Sequence, residues 1–194
     1  MSQLSRKHSF HAVFDSQSVF RLTLEAVSNP TRIVSIKPYA DKLFGDSTAM
    51  LALAMTLLDN ETGFNVWGNQ TLAQDIVSLT LAKESEIDAA DFVFVCDAAA
   101  LDQVLQCVKC GTLADPHRSA TVIVQDDGAT DCSLTLYGPG IDGRVSVGAS
   151  PTVQTALRLR DAQYYEYPQG VDFIFVTVGG ALFAIPRQVR WEVQ

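Results

Sequence analysis

The sequence predicts an α/β sandwich on a mixed sheet, with helices on both faces and an antiparallel portion. Three observations predict it. Phe92-Val93-Phe94-Val95-Cys96 is an uninterrupted apolar run, the pattern of a strand buried on both faces of a parallel sheet. Helical and extended patterns alternate through the first two thirds of the chain. Hairpin signals dominate the rest, above all Gly179-Gly180 between two apolar segments. With 194 residues, one domain over 1–194 with a large core is expected, and residues 1–8 are expected to be flexible.

The elements follow in order. Val19, Phe20, Leu24 and Val27 recur at helical spacing, with Asp15 or Ser16 available as N-cap, and Asn29-Pro30 stops that helix. The β-branched segment Thr31 to Ile36 reads as a strand, and Lys37 to Asp46 as a loop. Ser47 or Asp46 caps a helix over Thr48 to Leu58, apolar nearly all round and so buried on both sides. Phe64 to Trp67 is a short strand, and Thr71 to Lys83 a helix with Leu72, Ile76 and Leu79 turned inward and Val77 a further candidate for that face. After the apolar strand, Asp97 caps a helix from Ala98 to Cys110, closed by Gly111. Thr121 to Gln125 and Cys132 to Tyr137 read as strands around the turn Asp126-Asp127-Gly128, with a further short strand over Arg144 to Val147. Pro151 opens a helix to about Tyr164. Three strands close the chain: Val171 to Val178, Ala181 to Ile185 and Val189 to Val193.

Composition excludes several classes of function. Net charge is −8, from 22 acids against 14 bases, with no lysine–arginine block. A duplex binder needs a basic face to displace counterions, so nucleic acid and acidic membrane surfaces are poor partners. A phosphate-bearing substrate stays open, because a local arginine can hold one. The longest apolar run, Ala49 to Leu58, is too short to span a bilayer and is broken by Thr56. No cationic-then-apolar leader stands at the start. A cytoplasmic protein with four reduced thiols, Cys96, Cys107, Cys110 and Cys132, is expected.

Each candidate site has a structural competitor. Cys107-Val108-Lys109-Cys110 has CxxC spacing, but it lies at the end of its helix, where the dipole disfavours a thiolate, and no second CxxC exists. Ordinary thiols are the favoured reading, and no metal is expected. Gly138-Pro139-Gly140-Ile141 follows a strand but opens no helix, so it reads as a turn. Asp59 and Glu61 place two carboxylates at the negative end of a buried helix, which points either to a cationic partner or ligand or to a solvated loop; the loop is favoured. Arg21 sits at the edge of an apolar helix face, where arginines usually snorkel. His8, His11 and His117 are dispersed, and no GxSxG elbow exists. No lysine follows Lys109, which removes a Schiff-base lysine from the second half. Near the end, Pro168-x-Gly170-Val171-Asp172 opens a strand and Ile185-Pro186-Arg187 closes the next. Asp172 and Arg187 therefore flank one hairpin, as a clamp or as the edge of a site.

These residues, taken in order, are similar to one family. Phe20-Arg21, Ser28-x-Pro30, Leu58-Asp59-x-Glu61-Thr62, Ser119-Ala120-Thr121, Gly138-Pro139-Gly140-Ile141, Pro168-x-Gly170-Val171-Asp172 and Ile185-Pro186-Arg187 resemble the H subunit of the bacterial carbon–phosphorus lyase system (PhnH), over nearly the whole chain. Thr31 stands where that family usually has glycine, so a positive φ is not required there. The resemblance implies a three-layer α/β/α sandwich similar to the major domain of pyridoxal-phosphate-dependent transferases, without that cofactor's site. It implies membership of a complex that displaces adenine from ATP by an alkylphosphonate, giving alpha-D-ribose 1-alkylphosphonate 5-triphosphate. A separate iron–sulfur radical subunit later breaks the carbon–phosphorus bond. No cofactor is expected on this chain, neither PLP nor an iron–sulfur cluster; MgATP is a substrate of the complex. The implied partners are a second copy and the PhnG, PhnI and PhnJ subunits.

Three functional readings stay open. The chain is an accessory or structural subunit of that synthase complex, with Asp172 and Arg187 fixing the hairpin and a subunit contact. Alternatively it is a nucleotide- or phosphonate-binding catalytic component, with Arg21, Asp59, Glu61, Asp172 and Arg187 as its polar site. The third is an unrelated small-molecule transferase, which fold alone does not exclude.

Overall fold

The computed structural model of the chain describes residues 7–193. The expected flexibility of the first residues falls, for 1–6, outside the described residues. The chain runs through α1 (Phe14–Ser28), β1 (Val34–Ser35), α2 (Lys37–Ala40), α3 (Thr48–Leu57), β2 (Gly63–Trp67), α4 (Gln70–Thr80), β3 (Lys83–Glu84), β4 (Phe92–Val95), α5 (Leu101–Cys107), β5 (Thr121–Asp126), β6 (Cys132–Tyr137), β7 (Arg144–Ala149), α6 (Pro151–Ala162), β8 (Asp172–Thr177), β9 (Ala181–Ile185) and β10 (Arg190–Val193). Seven strands form one mixed sheet in the order β1-β9-β8-β5-β4-β2-β3, in which β9 alone runs against the rest. A second, antiparallel sheet has the order β10-β6-β7.

The large sheet divides the core in two. Alternate side chains of each strand point to opposite faces, so Phe94, Ile123, Ile174 and Val176 meet α1, α3 and α4 on one side. Val93, Val95, Val122, Val124, Phe173 and Phe175 meet α5, α6 and the inner residues Leu134 and Leu136 of the small sheet on the other. The apolar run in β4 is therefore buried on both faces, between parallel neighbours β2 and β5, as its sequence predicts. Helix α3 is buried from Ala49 to Ala54 without a break, consistent with its lack of a polar face.

Several expectations are corrected. The turn Asp126-Asp127-Gly128 does not join a hairpin, because β5 has both edges filled by the parallel strands β4 and β8. The chain must leave the sheet there, and β6, β7 and α6 together form the crossover from β5 to β8. The last strand, β10, likewise joins the small sheet. The strand expected over Thr31 to Ile36 shrinks to Val34–Ser35, since the preceding residues turn back with the Arg32 N–H on the Asn29 carbonyl. The loop after it holds a single helical turn, α2. Helix α4 ends at Thr80 rather than Lys83, where Leu81 takes a left-handed φ of 60°. Thr31 has no positive φ, as its residue type leads one to expect.

The start of α1 also differs. Neither Asp15 nor Ser16 is its N-cap. His11 Nδ1 accepts from the N–H groups of Val13 and Phe14 at 3.2 and 3.3 Å. Asp15 reaches back to accept the His11 N–H at 2.7 Å, and Lys42 Nζ donates to its other oxygen at 2.7 Å. The two acceptors satisfy orphan donors reciprocally, as a capping box does. The His11 N–H and then Lys42 hold the Asp15 carboxyl below its ordinary pKa, against the opposing effect of burial. A depressed folded pKa gives stability that is present above the unfolded carboxyl value, near ~3.9, and lost as pH falls through the folded value. The wild-type chain is therefore expected to lose more stability than Asp15→Asn on acidification from about pH 5 toward pH 2. Urea denaturation across that range checks this; parallel pH slopes would contradict it.

Candidate functional site

Asp172 opens β8, and in register beside it stand Thr121 of β5 and then Phe92 of β4. It thus lies at the amino-terminal end of the parallel strands. Because β9 returns antiparallel, with Ile185 opposite Phe173, the end of β9 comes back to the same place, and Pro186 releases the chain there. Arg187 then turns onto Asp172. Its N–H donates to Asp172 Oδ1 at 2.8 Å, Nε to Oδ1 and Oδ2 at 3.2 and 3.1 Å, and Nη2 also to Oδ2. Nη1 donates to the Pro116 carbonyl at 2.7 Å, and Nη2 to Ser119 Oγ. The Gly170 backbone, at φ +142°, lies against the Arg187 stem; a Cβ there would meet Arg187 Cβ at 3.2 Å. Gly170 N–H and Gln169 Nε2 donate to the carbonyls of Cys110 and Gly111, which adds the loop after α5 to the same cluster.

This arrangement is a clamp. Four of the five guanidinium N–H groups of Arg187 serve acceptors of its own chain.

The other sequence-derived candidates do not join it. Arg21 is exposed on α1, and Glu61 is exposed in the loop after α3. Asp59 Oδ1 accepts the N–H groups of Glu61 and Thr62 at 2.9 and 3.0 Å, closing a local turn. Those two N–H groups draw the Asp59 carboxyl below its ordinary pKa. Backbone donors thus fill the place where a cationic partner had been an open alternative. Among the described residues, no hydrogen bond or ion pair links Arg21, Asp59 or Glu61 to Asp172 or Arg187.

The cysteine pair is also separated. Helix α5 ends at Cys107, three residues earlier than expected, and Cys110 forms an isolated bridge with Ser119. All four cysteines are free, and burial pushes the Cys96 thiol up to about 11. Among the described residues, no three His, Cys, Asp or Glu side chains come together as metal ligands.

Sequence reasoning missed Arg160. It lies two turns after Val153 on the buried stripe of α6, which also carries Ala156 and Leu157. Only 4% of its side chain is exposed. Nη2 donates to the Val189 carbonyl at 3.0 Å, Nη1 to the Pro186 carbonyl at 3.4 Å, and Nε to Asp161 Oδ1 at 3.2 Å. Asp161 in turn accepts Trp191 Nε1 at 2.7 Å. The usable signal was an arginine at a core position of an amphipathic helix. Between α6 and this corner opens a cleft of about 520 Å³, with Arg160, Arg187 and Arg190 among its lining. On the other face, Asp172 lines an apolar groove of about 220 Å³ with Phe20, Leu24 and Val27 of α1.

Asp172→Ala and Arg187→Ala are each expected to lose about 2–4 kcal/mol, because each leaves a half-buried charge unpaired. The double variant should lose less than the sum, with a coupling of about 1–3 kcal/mol. Denaturation of the four species measures this, and additive losses below about 0.5 kcal/mol would contradict the clamp.

Several of the motifs that carry the family resemblance meet in space, in two groups. Ser119, Gly170, Asp172 and Arg187 form the clamp. Gly140 packs on the end of α1, where a Cβ would meet the Ser28 carbonyl at 2.5 Å and Pro30 at 3.0 Å, so glycine is required in that turn. In comparisons with known proteins, the sequence family described as bacterial phosphonate metabolism protein (PhnH) matches residues 8–192. The chain is also similar to alpha-D-ribose 1-methylphosphonate 5-triphosphate synthase subunit PhnH of Rhizobium meliloti (strain 1021). That relative is 27% identical over 187 residues, covering 93% of this chain and 92% of its own length. The match over nearly all of the described residues sets aside the reading as an unrelated transferase: the chain belongs to the PhnH family of bacterial phosphonate metabolism proteins.

Proposed function

We infer that this chain is an accessory subunit of a bacterial complex that makes alpha-D-ribose 1-methylphosphonate 5-triphosphate from ATP and alkylphosphonate. The likeness to the Rhizobium synthase subunit supports the product, and the clamp supports the accessory role. In this reading Asp172 and Arg187 are structural, and the carbon–phosphorus bond is broken by a different subunit. The chain itself holds neither PLP nor an iron–sulfur cluster, and MgATP is a substrate of the complex. It works in the cytoplasm, which the four free thiols support. The finer likeness in fold, a three-layer α/β/α sandwich similar to the major domain of PLP-dependent transferases, belongs to the same proposal. Apolar clusters on both faces of the large sheet favour that layering.

The observation that carries the assembly role is the outer face of α1. Val13, Phe14, Phe20, Leu24 and Val27 are all exposed, and Phe20 and Leu24 are 50% and 53% accessible beside the apolar groove. A helix normally turns such residues inward, and a contiguous apolar stripe left in water marks an interface. Its partners in this proposal are a second copy in the isolated protein and the PhnG, PhnI and PhnJ subunits in the complex. No helix among the described residues is long and apolar enough to cross a membrane.

The expected outcome is co-purification of the chain with those subunits and loss of that association in Phe20→Asp and Leu24→Asp variants that keep wild-type melting behaviour. Light scattering should give a dimer mass for the isolated protein. Undiminished assembly of both variants would overturn the assigned face, and a clean monomer at micromolar concentration would remove the homodimer.

A further inference from the structure

The cleft beside Arg187 is not explained by the clamp. Its volume of about 520 Å³ falls in the usual range of small-ligand pockets, roughly 300–1,000 Å³. In a chain of net charge −8, three arginines line it against a single acid, Asp161. That carboxylate is already engaged by Arg160 Nε and Trp191 Nε1. Arg187 is committed to the clamp. Arg160 is not: three of its five N–H groups have acceptors in the chain, which leaves one proton on each Nη atom. Arg190 is exposed and has no ion pair among the described residues. Burial draws the Arg160 pKa below its ordinary value, Asp161 opposes that shift, and the nearby charge of Arg190 adds to it in smaller measure. An anion between the two would relieve both. The side chains of Tyr164 and Tyr167 lie open to solvent on the same lining, offering flat apolar faces.

We propose that this cleft binds the phosphoryl or phosphonyl oxyanion of a small molecule, held by Arg190 and the uncommitted Nη protons of Arg160, with Tyr164 and Tyr167 as a surface for an attached ring. The cationic wall stands on geometry alone; the choice of a phosphorus oxyanion rests on the proposed function. Guanidinium groups suit such oxygens because their N–H pairs match the oxygen spacing. The site differs from the polar set expected from sequence, since none of Arg21, Asp59, Glu61 or Asp172 lines it.

Calorimetry on the full chain with ATP, inorganic triphosphate and methylphosphonate tests the proposal. Binding of ATP or of methylphosphonate is expected, and which of them binds identifies the source of the oxyanion. Arg190→Ala should weaken binding about tenfold or more, Arg190→Glu further, and Lys83→Ala at the far sheet edge not at all. If the tyrosines carry a ring, Tyr164→Ala weakens ATP but not triphosphate. The proposal is overturned if no ligand gives heat at millimolar concentration, or if both Arg190 variants bind as wild type. It also fails if the Arg190 variants lose only association with PhnG, PhnI and PhnJ, which would make the cleft a protein contact. Failure of the wild-type chain to assemble with those subunits would instead strike the complex-subunit reading and leave measured ligand binding intact.

Discussion

The chain leaves the seven-stranded sheet for the three-stranded one twice, after β5 and again at the corner Pro186 to Val189, between β9 and β10. Proline ends β9 there, so the corner has no ladder of its own to hold it. Two arginines supply the missing bonds. Arg160 comes from α6 and takes the carbonyls of Pro186 and Val189. Arg187 belongs to the corner and ties it to Asp172, Pro116 and Ser119. Guanidinium groups suit this role because one planar fork serves several acceptors at fixed angles. Both sheets, the β5-to-β8 crossover and the loop after α5 take their relative positions from this corner.

The same corner separates two surfaces of different chemistry. Asp172 faces the apolar groove beside α1, and Arg187 faces the cationic cleft beside α6. One ion pair thus forms the partition between a surface suited to a protein partner and one suited to an anion. Its burial is intermediate, with side-chain exposure of 16% for Arg187 and 31% for Asp172. Pairs of this kind stabilise when every donor has an acceptor, and destabilise strongly when one partner is removed. That property makes the partition rigid without burying enough charge to threaten the fold.

Local chemistry was legible in the sequence, and long-range pairing was not. The β8–β9 hairpin follows from Gly179-Gly180 between two apolar segments, and β4 from five consecutive apolar residues. The Asp172–Arg187 pairing follows from turns that fix both ends of one hairpin. By contrast, β6 and β10 carry ordinary strand patterns, and nothing in them says that they pair with each other rather than with the large sheet. That choice is made by β5, whose two edges are filled by distant parallel strands. His11 escaped notice as the capping residue of α1 because its type is not among the usual caps. Arg160 escaped because a lone charge on an apolar stripe resembles a surface residue until its carbonyl partners, far away in sequence, are known. The grouping of Arg21, Asp59 and Glu61 with the hairpin pair came from motif order, which carries no distance.

The corner's control over its surroundings can be measured by hydrogen–deuterium exchange on Arg187→Lys, which keeps the charge and loses the fork. Amide protection should fall together in residues 110–120, 167–172 and 186–190, which the guanidinium joins, while β4 keeps wild-type protection. A change confined to the immediate neighbours of residue 187, or no change at all, would contradict the view that this arginine ties the corner to β8 and to the loop after α5.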